Sequence, residues 1–301
     1  MRILFMGTPA YADTILKKLL EEPGMEVAAV FTQPDRPVGR KKVLTPPPVK
    51  TTAEAAGVPV HQPDHLKDRQ CHETIATYRP DFIVVAAYGQ LLPKEILQLA
   101  PCINLHASLL PKYRGASPIQ EALLHGDEKT GMTAMAMEEG LDSGPVLAYS
   151  VREIFPTYRK NELFTLLAED AAQLTVAVLK RYDRLRPLPQ CDADASYCRK
   201  IRRNDGLIDF SMDASTIYNR FRAFEGWPGI FLASGLKLLE IVPTAGQGEA
   251  GRILAIEEES VTVACGQGAL IVAKVQPPSK KAMDGASYVR GKRLGVGDLF
   301  V

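Results

Sequence analysis

An amide and an imidazole lie two residues apart in this chain, at the end of a short apolar run. Asn104 and His106 close the sequence Cys-Ile-Asn-Leu-His, which is typical of a buried strand. Because side chains on a strand alternate between its two faces, these two point the same way. Acyl transfer needs a donor that polarises a carbonyl and a group that moves a proton. The pair therefore predicts an acyl-transfer site at the end of this strand.

One acid stands in a turn-rich segment further along the chain. Asp142 lies within Gly-Leu-Asp-Ser-Gly-Pro, residues 140–145, which is also ordinary turn chemistry. Placed beside His106, its carboxylate would orient the imidazole ring and stabilise the charged form of that ring. The segment alone favours a simple turn, and both interpretations can hold together.

The elements that must position these residues alternate between strands and helices. The apolar patterns predict strands at 3–6, 26–31, 58–61, 82–87, 103–106, 130–137 and 146–151, and helices at 10–20, 49–56, 66–78, 94–99 and 161–182. This alternation indicates an α/β fold with a mainly parallel, Rossmann-like sheet and helices on both faces. Ligands bind outside the carboxyl ends of such strands, so His106 is expected to share a cleft with the end of the 82–87 strand. Thr8 is predicted to cap the first helix.

The pattern of residues changes after the long predicted helix at 161–182. Residues 183–203 hold two prolines and two cysteines with little periodicity, as expected of a linker. We assign 1–189 to a catalytic domain, 190–204 to the linker and 205–301 to a small C-terminal β-barrel. Short strands between Gly-rich turns are predicted at 230–232, 236–242, 252–256, 260–264 and 269–275.

Composition excludes several classes of protein. The 301 residues carry a formal net charge of +1, so no global field attracts nucleic acid and any such binding needs local basic patches. The five cysteines form no CxxC pair, which predicts neither a disulfide framework nor a metal site. Gly7 stands alone after the first strand, without the GxGxxG of a dinucleotide site. No leader or membrane span is visible, so a cytoplasmic protein that does not bind membranes is expected.

Taken together, these motifs resemble the folate-dependent formyltransferases. The resemblance rests on Asn104, His106 and Asp142, and it extends through Phe5–Pro9, Val85–Pro93, Ser108–Pro111 and Tyr113–Gln120. It implies transfer of a formyl group from 10-formyltetrahydrofolate to an amine, without a metal. It further implies that Asn104 stabilises the formyl oxygen and His106 shuttles the proton, while Asp142 favours imidazolium or accepts the amine proton. The C-terminal barrel is expected to be like the oligonucleotide-binding (OB) fold.

The resemblance also implies a folate pocket at two neighbouring strand ends. Its predicted residues are Ser108, Leu109, Leu110 and Pro111 after one strand, and Val85, Tyr88, Gly89 and Leu91 at the other. The loop after a strand can offer backbone groups to a pterin, and the other strand end can add apolar walls. The simpler interpretations are an ordinary strand-to-helix connection and a buried strand followed by a turn.

Basic clusters suggest where RNA would bind. The chain is most similar to the members of the family that formylate initiator methionyl-tRNA, which carry a comparable loop at residues 31–48. The predicted tRNA contacts are Arg36, Arg40, Lys41 and Lys42 in this loop, and Lys200, Arg202, Lys280 and Lys281 in the C-terminal part. Such side chains contact phosphates, and solvated surface charge is the alternative. No obligate protein partner is evident.

Other acceptors and classes stay open at this stage. An amino-sugar nucleotide or glycinamide ribonucleotide is the alternative acceptor, disfavoured by the basic loop and by the C-terminal domain respectively. An RNA-binding protein on an inactive transferase fold would have lost Asn104, His106 or Asp142, and all three are present. A hydrolase that releases formate from the same folate would carry a separate N-terminal regulatory domain.

Overall fold

The structure of the protein is a computed structural model that describes residues 1–39 and 41–300. In chain order the strands are β1 (Arg2–Gly7), β2 (Glu26–Phe31), β3 (Arg36–Val38), β4 (Val43–Thr45), β5 (Val60–His61), β6 (Phe82–Ala86), β7 (Cys102–His106), β8 (Arg114–Gly115), β9 (Lys129–Ala136), β10 (Val146–Glu153), β11 (Tyr197–Cys198), β12 (Ile230–Phe231), β13 (Lys237–Thr244), β14 (Ile253–Ile256), β15 (Val261–Ala264), β16 (Ala269–Gln276) and β17 (Met283–Asp284). The α-helices are α1 (Ala10–Glu21), α2 (Pro48–Ala55), α3 (Arg69–Thr77), α4 (Lys94–Leu97), α5 (Pro118–His125), α6 (Lys160–Arg181), α7 (Ala214–Ala223) and α8 (Gly285–Gly291).

The chain divides into two compact units. The first comprises Met1–Pro118, Glu128–Ile154 and Glu162–Cys198, and the second comprises Ile119–Asp127, Phe155–Asn161 and Arg199–Val301. The first unit extends to Cys198, so it includes residues 190–198 of the segment predicted as the linker 190–204. The physical reason is strand pairing, because β11 pairs in parallel with β8.

A seven-stranded sheet forms the centre of the first unit, in the order β10-β9-β7-β6-β1-β2-β5. Strands β5, β2, β1, β6 and β7 pair in parallel, and β9 is antiparallel to both β7 and β10. The inner strands are continuous apolar runs because helices cover both faces of such a sheet. The predicted, mainly parallel α/β arrangement is thus confirmed.

The order of the strands reverses beside β1, and folds of this kind have their ligand crevice at such a place, here the carboxyl ends of β1 and β6. Thr8 joins these ends, since its hydroxyl donates to the Tyr88 carbonyl at 3.2 Å and accepts from the Gln33 amide at 3.4 Å. The prediction that Thr8 caps α1 is therefore wrong. The helix begins at Ala10 with Pro9 as its N-cap, and the hydroxyl links strand ends instead.

The long 31–48 segment contains a small hairpin. Strands β3 and β4 pair antiparallel within it, and their residues are exposed. At the base of the hairpin, the Lys50 ammonium lies 2.9 Å from both Asp35 Oδ2 and Gln62 Oε1. This cluster fixes the hairpin to the sheet. Arg40 lies outside the described residues.

The second unit is built on an antiparallel sheet. Its strands follow the order β12-β13-β16-β15-β14, with β17 added to β16. Helices α7 and α8 pack on this sheet, and neither was predicted. The predicted C-terminal β domain is confirmed as an antiparallel sheet, and its closure into an OB-like barrel stays a prediction.

Membrane spans and metal-binding groups can be assessed for residues 1–39 and 41–300. No helix in these ranges is long and apolar enough to cross a membrane. The same ranges contain no group of three or more His, Cys, Asp or Glu side chains arranged to hold a metal ion.

The close contact between β9 and β10 predicts that one added methyl group at Gly131 lowers the stability of the protein. A Cβ on Gly131 would lie 2.0 Å from the Ser150 carbonyl oxygen and 2.6 Å from Leu109 Cδ2. We expect Gly131→Ala to lower the free energy of unfolding by about 1–3 kcal/mol, as overpacking usually does. Chemical denaturation followed by circular dichroism measures this change. Gly291→Ala is the control, because nothing lies within 4 Å of the added atom there. Equal midpoints for both variants would contradict the prediction.

Candidate active site

Strand β7 ends at the crevice and carries two of the predicted catalytic residues. In its register, Asn104 pairs with Val85 of β6 and with Met135 of β9, and His106 pairs with Thr133. Because they are two residues apart, both side chains lie on one face of the sheet. The His106 side chain is only 6% exposed. The strand therefore places an amide and a shielded imidazole side by side.

The two ring nitrogens of His106 have different neighbours. Nε2 lies 2.9 Å from the Tyr113 carbonyl oxygen, and Nδ1 lies 3.6 Å from Asp142 Oδ2. A carbonyl only accepts hydrogen bonds, so Nε2 must carry a proton. In the neutral ring, Nδ1 then holds the lone pair and faces the carboxylate. Nδ1 is thus the ring atom that can take a proton, and it is the one that lies beside the Asp142 carboxylate.

Both carboxylate oxygens of Asp142 accept hydrogen bonds. Its Oδ2 accepts one of 2.8 Å from the Gly115 amide, and its Oδ1 accepts one of 3.4 Å from Asn104 Nδ2. Its backbone is left-handed, with φ +49°, which aims the carboxylate back at β7. The structure therefore brings Asn104, His106 and Asp142 together. The second N–H of the Asn104 amide can reach a substrate oxygen.

The loop after β7 is a well-bonded scaffold. The Thr133 hydroxyl donates to the Ser108 carbonyl at 2.6 Å and accepts from the Leu110 amide at 3.1 Å. The Ser108 hydroxyl donates to the Lys112 carbonyl, and the Tyr149 hydroxyl donates to the Leu110 carbonyl at 2.7 Å. Ser108 and Leu110 are buried. These bonds fix the loop shape, so a ligand would meet mainly its half-buried residues, which are Leu109 and Pro111.

The end of β6, beside the end of β7, has both buried and exposed residues. Val85 and Tyr88 are buried in the apolar core, and burial raises the pKa of the Tyr88 phenol. Gly89 follows with φ +88°, a conformation that favours glycine, and turns the chain outward. Leu91 is 75% exposed. Of the four residues predicted here, Gly89 and Leu91 are therefore the ones on the surface.

The predicted tRNA contacts are exposed in both units. In the first unit, Arg36, Lys41 and Lys42 lie on the β3–β4 hairpin, where Arg36 Nη2 donates to Gln33 Oε1 at 3.0 Å. The exposed basic residues predicted in the second unit are Lys200, Arg202, Lys280 and Lys281. The remaining predicted contact, Arg40, is not among the described residues.

Sequence reasoning missed several groups that surround Asp142. The Gly115 amide binds its carboxylate, although the sequence suggested only that this stretch fits the family pattern. Gln190 Nε2 donates to the Asp142 carbonyl at 2.8 Å, and Arg114 binds the oxygen of the same Gln190 amide. Gln190 lies in the segment predicted as a linker, and nothing in its sequence surroundings signals this contact.

Comparison with known proteins assigns this chain to a family. The formyl transferase family model matches residues 1–179, and the model for the formyl transferase C-terminal domain matches residues 200–293. The chain therefore belongs to the formyl transferase family.

Relatives that match over the whole chain show which members of that family it is similar to. The chain is 58% identical to methionyl-tRNA formyltransferase from a Nitratiruptor species, covering 100% of both chains. It is 55% identical to the enzyme of that name from Wolinella succinogenes, covering 99% of each. A solved N-formyltransferase from Helicobacter canadensis, in complex with folinic acid and dTDP-3-aminofucose, shares the fold with a TM-score of 0.67 at 16% identity, covering 90% of this chain and 98% of that one. The chain thus belongs with the methionyl-tRNA formyltransferases.

The geometry of the three polar residues predicts graded losses of activity. We expect His106→Ala to lower kcat at least about a hundredfold, because general acid–base groups typically contribute roughly 10²–10⁴-fold. Asp142→Asn should have a smaller effect, since it keeps an acceptor for the Gly115 amide but removes the charge. Steady-state formyl transfer measures both, with the exposed His65→Ala as control. A His106→Ala variant with near-normal kcat and an unchanged melting temperature would refute the assignment.

Proposed function

We propose that this enzyme transfers the formyl group of 10-formyltetrahydrofolate to the free amino group of initiator methionyl-tRNA. The reaction is carried by one observation, the contact of the Asp142 carboxylate with both the His106 ring and the Asn104 amide. The choice of acceptor is supported by the identity of 58% over the whole chain to a methionyl-tRNA formyltransferase.

The proposed chemistry uses the positions of these three side chains. The neutral amine attacks the formyl carbon, and a new C–N bond forms as negative charge develops on the formyl oxygen. The free N–H of Asn104 stabilises that oxygen, and one such donor is typically worth roughly 2.7–4 kcal/mol. Nδ1 of His106 takes the amine proton, and Asp142 stabilises the resulting imidazolium. The bond from carbon to the folate N10 then breaks, and N10 receives the proton.

The folate lies, in this proposal, across the carboxyl ends of β6 and β7. Gly89, Leu91, Leu109 and Pro111 offer the accessible surface there, while buried neighbours fix its shape. The structural neighbour from Helicobacter canadensis was solved with folinic acid, a related folate, which supports a folate in this chain as well. Pockets of this kind combine apolar walls with a few polar backbone groups.

The tRNA meets the basic residues of both units. Arg36, Lys41 and Lys42 would contact phosphates close to the aminoacyl end, because their hairpin follows the carboxyl end of β2, at the edge of the sheet where β7 also ends. Arg40, predicted to act with them, lies outside the described residues. The cluster around Lys50 holds the base of their hairpin and limits its conformations. The basic residues of the second unit would add further phosphate contacts.

An acceptor assay tests the function directly. We expect labelled formyl from 10-formyltetrahydrofolate to appear on charged initiator methionyl-tRNA and not on an amino-sugar nucleotide or glycinamide ribonucleotide. The reason is that the exposed basic hairpin suits a long polyanion better than a single nucleotide. The amino-sugar acceptor is the second candidate, because the Helicobacter canadensis neighbour was solved with dTDP-3-aminofucose. Label on the amino sugar alone would overturn the proposed acceptor and leave the catalytic residues in their roles.

Removing charge from the hairpin should weaken use of tRNA. We expect replacement of Lys41 and Lys42 by Ala to raise KM for methionyl-tRNA severalfold, with KM for the folate unchanged. The slope of log KM against log salt should fall by about one for each phosphate that the variant no longer neutralises. The control replaces Lys17 and Lys18 on α1 by Ala, which removes the same charge from residues that pair with Asp13 and Glu22. Equal effects of the two replacements would show that only net charge matters.

A further inference from the structure

The main chain of the turn that carries Asp142 is bonded by the side chain of Gln190. Gln190 Nε2 donates one hydrogen bond to the Asp142 carbonyl at 2.8 Å and another to the Gly144 carbonyl at 2.7 Å. Asp142 has φ +49°, a conformation that residues other than glycine rarely adopt. The amide therefore bridges the turn on both sides of Ser143 and keeps Asp142 in this conformation.

Gln190 is itself fixed by a buried arginine. Its Oε1 accepts hydrogen bonds from Arg114 Nε at 3.0 Å and Nη2 at 2.8 Å. These two bonds fix the orientation of the Gln190 amide. A guanidinium group only donates hydrogen bonds, so the amide oxygen must face Arg114 and the NH₂ group must face the turn. Arg114 is 2% exposed, and its guanidinium also lies 2.9 Å from Asp192 Oδ1 and 3.2 Å from the Tyr197 hydroxyl.

The same short strand holds both ends of Asp142. Gly115 donates its amide to the Asp142 carboxylate at 2.8 Å, and the adjacent Arg114 holds Gln190, which binds the Asp142 carbonyl. The carboxylate and the main chain of one residue are thus both anchored to β8. A Cβ on Gly115 would lie 2.1 Å from the Cys198 carbonyl oxygen, so β8 and β11 are in tight contact.

We propose that Gln190 is a positioning residue for the Asp142 carboxylate and that Arg114 orients Gln190 for this role. The inference rests on the proposed function, because it assigns Asp142 to the stabilisation of His106. Among the described residues, the Gln190 side chain makes its hydrogen bonds with Arg114, Asp142 and Gly144, and none with His106. It acts through Asp142, whose charge must stay close to Nδ1 because Coulombic stabilisation falls with distance.

Two substitutions of Gln190 distinguish positioning of Asp142 from a contribution to the stability of the fold. Gln190→Glu keeps the oxygen that Arg114 binds but replaces the donor with an oxygen facing two carbonyls. Gln190→Met keeps the length of the side chain without a charge, so it tests whether an effect of the first variant comes from added charge alone. Gln173→Glu, on the exposed side of α6, is the matched control for the same chemical change.

The decisive measurement is a double-mutant cycle with Asp142→Asn in the full-length enzyme. We expect both Gln190 variants to lower kcat by about tenfold to a hundredfold, as a displaced catalytic group does, with KM for folate and acceptor within about twofold. In the Asp142→Asn background, the same changes should lower kcat by less than about threefold, because the group they position has lost its charge.

Each other outcome overturns the proposal. Additive losses in the two backgrounds, or a normal kcat for Gln190→Met, would mean that Gln190 does not act through Asp142. If both variants fail to fold, Arg114→Lys replaces them in the same cycle, since it keeps the charge and loses the fork. Failure of the proposed function is distinguishable, because the cycle can be run with whichever amine the wild-type enzyme formylates.

Discussion

The site depends on holding one carboxylate close to a shielded imidazole. Asp142 is only 14% exposed on its side chain, and a charge in such a place is unfavourable unless it is hydrogen-bonded. The Gly115 amide and the Asn104 side chain supply those bonds. In the proposed reaction, the imidazolium formed at His106 would add a positive charge beside this carboxylate. The catalytic residues are therefore interdependent, since each satisfies a polar group of another.

The sheet brings these residues together from distant parts of the sequence. The carboxyl end of β7 provides the amide and the imidazole, while the turn before β10 provides the acid. Antiparallel β9 lies between β7 and β10, and its Thr133 hydroxyl bonds the loop that follows His106. The polar side chains can be held rigidly because the elements beneath them form one hydrogen-bonded layer. Loops alone would not fix distances to this degree.

The sequence predicts what depends on local pattern. The strand Phe82–Ala86 and the helix Lys160–Arg181 were found because apolar runs and helical periodicity mark them. The β3–β4 hairpin was missed because the residues of both its strands are exposed and show no buried face. Gln190 was missed for a different reason, since its partners lie 46 to 76 residues away and a lone Gln carries no local signal. Asn104 and His106 could be found from spacing alone, whereas the role of Asp142 needed the family pattern.

The hydrogen bond from His106 Nε2 to the Tyr113 carbonyl restricts the path of the proton. Nε2 donates to a carbonyl oxygen, and a carbonyl cannot pass the proton on to another group. The ring therefore cannot take up a proton at Nδ1 and release one from Nε2. Nδ1 must both collect the proton and give it up. In the proposed reaction, the attacking amine and the departing folate nitrogen therefore have to come within reach of the same atom in turn. A ring that uses one nitrogen for both proton transfers requires the two substrate nitrogens to stay close to the formyl carbon throughout the reaction.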